Sequence, residues 1–169
     1  MPKPAPVPEP DRLPGVQLQE LARVCSELAR LSDTGSVPGI LERTATALDA
    51  SWLVLWVADA EGKVLTPIAA HGYAASVLAR MGTLRADGEN ATAAAFRTGM
   101  VQTVRANGSS NGAIAAPLIA PTGALGVMSA EVRHDGERHE DRLAAAAIVA
   151  AQLATIIGVP AAEDESAAR

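Results

Sequence analysis

At 169 residues the chain fits one domain, since domains commonly run to about 100–150 residues. Hydrophobic residues make up 49% and aromatics only 2%, so a core can form, but alanine supplies much of it and contributes less buried area per residue than leucine. A net charge of −5 with scattered basic residues argues against a nucleic-acid partner, no uncharged stretch is long enough for a membrane span, and a single cysteine excludes an internal disulfide; a soluble cytoplasmic protein is expected.

Residues 1–15 hold most of the prolines and show no hydrophobic period, which predicts a disordered tail. Residues 159–169 predict a second tail, so the ordered domain is expected over 16–158. Between 16 and 32, Leu21, Val24, Leu28 and Leu31 recur at heptad spacing, a helical seam flanked by Cys25. Gly35 is expected to end this helix and Ser36 to cap the next, whose stripe is Ile40, Leu41, Thr44, Ala45 and Leu48. From Trp52 to Val57 the chain is apolar on both parities, which predicts a strand covered on both faces. Asp59-Ala60-Glu61-Gly62 reads as a turn and 64–71 as the returning hairpin strand.

Two short helices follow, at 74–81 and at 90–98, the second with Asn90 as cap and Gly99 as stop, between turn-forming stretches at 82–89 and 105–112. Strands are predicted at 100–104, 113–119 and 124–132, the last two joined by the tight turn Ala120-Pro121-Thr122-Gly123. Asp135 is expected to cap a long helix over 137–158, with Glu137, Glu140 and Asp141 near its positive end. Successive strands joined by tight turns imply an α+β fold with an antiparallel sheet. The terminal helices would pack on one face, and the short helices and loops would form a pocket on the other.

Local segments add a family resemblance. Ile40-Leu41-Glu42-Arg43-Thr44-Ala45 closes the opening helices, and Asp59–Gly62 is followed by His71-Gly72 at a strand end. A small-residue helix then ends in Gly99, and Ala113-Ile114-Ala115-Ala116-Pro117-Leu118 precedes Gly126-Val127-Met128-Ser129-Ala130-Glu131 and Gln152-Leu153-Ala154. In this order, over about residues 18–158, the chain resembles the GAF domain, a GAF/PAS-like sheet. PAS domains usually lack the long helices at both ends and the Pro-Leu and Gly-x-x-x-x-Glu strands. The resemblance implies a sensory, regulatory role. It also narrows the ligand. The cyclic-nucleotide-binding set keeps Asn90 and Phe96 here but lacks the Asp-Glu that follows. Bilin attachment needs a pocket cysteine, whereas Cys25 lies on the first helix. Sulfoxide reductases of this fold use several cysteines. Haem would depend on His71.

The pocket is expected under the helix at 91–98, with Trp56, His71, Tyr73, Asn90, Thr92, Phe96 and Met100 as ligand-binding residues. His71 is either a polar contact to a ligand or a structural histidine bonded to a loop carbonyl. Trp52 and Trp56 share a strand face and either roof the pocket or fill the core. Glu131 is read as a surface or dimer-edge charge, and His134 and His139 as solvated, with no metal site. No Ser-His-Asp set, paired carboxylates or phosphate-binding glycine loop occurs, so no enzymatic activity is expected. The seams Leu21, Val24, Leu28, Leu31 and Leu143, Ala147, Ala150, Ala154, Ile157 predict a homodimer through the terminal helices. The expectation is therefore a module that senses an unidentified small molecule and signals through a protein in trans. The alternative is a structural dimerisation or protein-interaction module with a filled pocket. The sequence names no cofactor.

Overall fold

The computed structural model describes residues 18–31 and 34–158. The tails expected at 1–15 and 159–169 lie outside the described residues, as do 16, 17, 32 and 33 of the first expected helix. Helices α1 (Leu18–Leu28) and α2 (Val37–Leu48) lead into the hairpin β1 (Ala50–Ala58) and β2 (Val64–His71). Next come α3 (Ala75–Arg80), the two-residue strand β3 (Leu84–Arg85), α4 (Ala91–Thr98), β4 (Gln102–Val104), β5 (Gly112–Ala120), β6 (Gly123–Val132) and α5 (Glu140–Ile157). The strands form one antiparallel sheet in the order β3-β2-β1-β6-β5-β4, so the architecture is the α+β antiparallel sheet that the strand spacing predicted.

Several ends differ from expectation. Ser36 precedes α2 in a helical conformation without a side-chain cap; the start is set instead by Pro38, which brings a preset φ and needs no N–H there. Asp135 takes a left-handed conformation before a single 3-10 turn, so Glu137 is not in the first turn of α5, which begins at Glu140. Asn90 and Gly99 do bracket α4 as expected: the Asn90 Oδ1 accepts from the Ala93 N–H at 2.8 Å, and Gly99 is left-handed. The two strand prolines sit where the ladder is open. Pro67 lies at a bulge between β1 and β2, and Pro117 lies beyond the last residue of β5 that β4 pairs.

Alternation along the strands divides the sheet into two faces. Leu53 and Leu55 of β1, Ile114, Ala116 and Leu118 of β5, and Met128 and Ala130 of β6 point into the main core. There α2 packs on β1 and β2, and α5 packs on β5. Each fully buried leucine stabilises this core by roughly 2 kcal/mol. Most of the expected seam residues belong to this same core: Leu21, Val24, Leu28, Ala150 and Ala154 are buried within the chain, while Leu31, Leu143, Ala147 and Ile157 are half-buried. The apolar residues that α1 and α5 expose are Leu18, Ala22, Ala144, Ile148 and Ala151.

Candidate ligand-binding face

The opposite face carries Trp52, Val54 and Trp56 of β1, Val127, Ser129 and Glu131 of β6, and Ala115 of β5. Helix α4 lies on β5 and β6, with Ala93 and Ala95 buried against the sheet and Ala95 in one cluster with Ala115 and Val127. Alanines let it approach closely, so the sheet beneath it is filled. Phe96 closes one flank by joining that cluster to the one around Val54, Trp56 and Leu65. The Trp56 indole is buried and donates to the Ser129 Oγ at 2.8 Å. Helix α3 buries no residue and lies against the rim at β2.

Beyond the end of α4 the face stays half open. Glu131 collects three donors here: the Ser51 hydroxyl at 2.6 Å, the Trp52 indole N–H at 2.9 Å and the Asn111 amide at 3.0 Å. Chiefly through the Ser51 bond, then that of Asn111, its carboxyl is held below the usual range despite partial burial. The Tyr73 ring leans on Trp52 with centroids 5.6 Å apart, and burial together with the Glu131 charge pushes its phenol up. Across the sheet end the order is therefore Tyr73, Trp52, Glu131, then the loop 107–111. A cavity of about 400 Å³ opens between that loop and Glu131.

Loop 107–111 is a tight turn closed by Asn107 and Ser110 through backbone bonds of 3.0 and 2.9 Å. Its base is anchored by the Ala106 N–H, which donates to the buried Glu137 carboxylate at 2.9 Å. Glu137 lies directly over Gly112, where any Cβ would collide with its carboxyl group. Asp49, left-handed at the end of α2, takes bonds from Arg133 and shares one with His134, and the buried Arg142 lies 3.6 Å from it.

The expected ligand residues are spread over this face and beyond it. Trp56, Tyr73 and Phe96 share one apolar cluster. His71 pairs with Leu53 and so lies on the side of the sheet that carries Leu53, away from the open face. Asn90 is engaged in capping, Thr92 is half-buried on α4, and Met100 is exposed at the sheet edge. Phe96 also borders a cavity of about 520 Å³ beside Val64, Arg85 and Arg97. Glu131, Trp52, Ser51 and Asn111 were not in the expected set. The signal was present in β6, where Ser129 and Glu131 are polar at alternate positions of a strand otherwise apolar on both parities.

Among the described residues, no three His, Cys, Asp or Glu side chains converge to hold a metal, and no helix is long and apolar enough to cross a membrane. A family model for the GAF domain matches residues 37–158. The fold is similar to the GAF domain of an Acinetobacter phosphoenolpyruvate-protein phosphotransferase, with a TM-score of 0.72 and 15% identity over 86% of this chain and 95% of that one. It is similar to free methionine-R-sulfoxide reductase from Neisseria meningitidis, crystallised with its substrate, with a TM-score of 0.67 and 16% identity over 83% and 87% of the two chains. The second GAF domain of DevS from Mycobacterium smegmatis gives a TM-score of 0.57 and 21% identity over 82% and 93%. At these identities the likeness is one of fold. No curated protein matches the sequence.

Proposed function

The chain belongs to the GAF domain family, and on that premise we propose that it is a regulatory module that binds a small molecule on the half-open end of its sheet. The observation that supports this is the group Tyr73, Trp52 and Glu131 beside a polar cavity of about 400 Å³, at the part of the face α4 leaves uncovered. Of the residues expected from sequence, Tyr73 is assigned to this site, and Phe96 to the separate cavity at the other end of β1. The reading is non-catalytic, with the signal passed to a partner protein and a homodimer formed through α1 and α5.

A thermal-shift screen against metabolites of all charge classes tests the ligand role. At least one compound is expected to raise the melting temperature saturably, and Tyr73→Ala should abolish that shift. The filling of the sheet under α4 by Ala93, Ala95 and the pinned Trp56 favours a second reading, a structural dimerisation module. Silence across the whole screen decides for it.

A further inference from the structure

Glu131 is a negative charge held entirely by neutral donors: a hydroxyl, an indole N–H and an amide N–H. Among the described residues none of its hydrogen bonds comes from a cation. The nearby Arg133 guanidinium is committed to Asp49 and to the Ala50 carbonyl at 3.3 and 3.4 Å. The Arg133 charge acts on Glu131 only from a distance and as the least of the causes that lower it, so no cation is seated on the carboxylate itself, which is the condition that favours capture of one.

The loop across the cavity is matched to the same end. The hydroxyls of Ser109 and Ser110 spend their protons on the Asn107 Oδ1, at 3.2 and 2.9 Å. Their remaining capacity is to accept. Asn111 spends amide N–H on Glu131, which leaves its Oδ1 as the acceptor end. The cavity is thus lined by a carboxylate and several acceptor oxygens, with the Asn107 and Asn111 amides adding N–H groups, and its one charge suits a cationic donor. On the other side of Glu131 the Trp52 and Tyr73 rings offer π-faces and apolar surface.

We propose that this site binds a small organic ammonium ion, its N–H groups on Glu131 and the acceptors of loop 107–111 and its carbon body toward Trp52 and Tyr73. The inference rests on the ligand-binding reading above and names the ligand's class. One carboxylate flanked by rings does not suit a divalent metal, which needs several charged or carbonyl oxygens at short range. An anion would meet an ionised carboxylate whose nearest cation, Arg133, is already paired with Asp49.

The chain's tryptophans are Trp52 and Trp56, so in Trp56→Phe the indole beside the site becomes the sole reporter. Titrating that protein with propylammonium chloride should give a saturable change in fluorescence. Sodium propionate and sodium chloride at equal ionic strength should give none. Tetramethylammonium, which carries the charge without N–H donors, should bind at least threefold more weakly than propylammonium. Glu131→Gln should weaken propylammonium binding at least tenfold, and Tyr73→Leu about threefold. If Glu131→Gln does not fold, Asn111→Leu at the exposed rim should still weaken it threefold. Equal binding of propionate, or an affinity unchanged in these variants, overturns the inference. A screen hit that is anionic or neutral and is lost in Tyr73→Ala keeps the ligand-binding reading and removes the ammonium ion. Silence for every charge class removes both.

Discussion

Glu131 and Asp49 are partly buried carboxyls at the same end of the sheet, and both are held ionised by their neighbours. Burial pushes Asp49 up, but bonds from His134 and Arg133 and the charge of Arg142 outweigh it and leave it lowered. Glu131 is lowered chiefly by Ser51. A carboxyl whose folded pKa is depressed adds stability above its unfolded value, near 4, and loses it as pH falls through the folded value. Glu131→Gln should therefore be less stable than the parent at pH 7, with the gap closing as pH falls from the ordinary carboxylate range through the lowered folded value. Urea midpoints across that range check this, and a gap that stays constant removes the assigned ionisation. Gly72 is the second residue at which local geometry decides. Its φ is +85°, and a Cβ there would lie 2.5 Å from the Ser51 carbonyl oxygen. Gly72→Ala should cost about 2–3 kcal/mol in denaturant unfolding, because the strain cannot relax without moving β1. His71-Gly72 was legible as a strand end. That it turns Tyr73 onto Trp52 was not, because the contact depends on the register of β1 and β2.

At the level of elements, hydrophobic period was a sufficient guide wherever an element buries one stripe or both parities. The helices α1, α2 and α4, the hairpin and the paired strands β5 and β6 all follow from it. Strand β3 left no signal, since two residues cannot show a period. The buried charges also escaped, for a different reason: Glu137 was expected at the positive end of the last helix, and Arg142 carries no signal of burial in its spacing. Arg142 is only 2% exposed because the Arg133 carbonyl accepts from its guanidinium at 2.7 Å. Arg142→Ala should cost about 3–5 kcal/mol, the loss expected when one partner of a buried ionic group is removed. The seam residues of α1 and α5 were legible as apolar but not as intramolecular, since period alone does not say which surface they meet. The dimer is therefore expected on the outward face, where Ile148 is 45% exposed. Ile148→Glu should convert a dimer into a monomer by light scattering without lowering the monomer's melting temperature. A parent protein that is already monomeric at micromolar concentration removes the dimer.

In the whole molecule, the open face and the terminal helices share a single sheet, one residue thick. Trp52 reaches Glu131 on one side while its neighbour Leu53 is buried in the core that α2 and α5 cover. Any shift of β1 or β6 on ligand binding therefore moves the seats of those helices, and close packing leaves no slack to absorb it. Such coupling has to be reciprocal: a ligand that binds the dimer more tightly than the monomer must strengthen the dimer by the corresponding factor. A coupling of ~1 kcal/mol corresponds to about fivefold. Sedimentation equilibrium with and without saturating propylammonium should show the dimer constant changing by at least that factor, and the Glu131→Gln protein should show no change. An equal constant with the site saturated would mean that the helices respond to nothing on the open face. The cluster would then be a binding site without a relay, and any signal would have to leave from loop 107–111 itself.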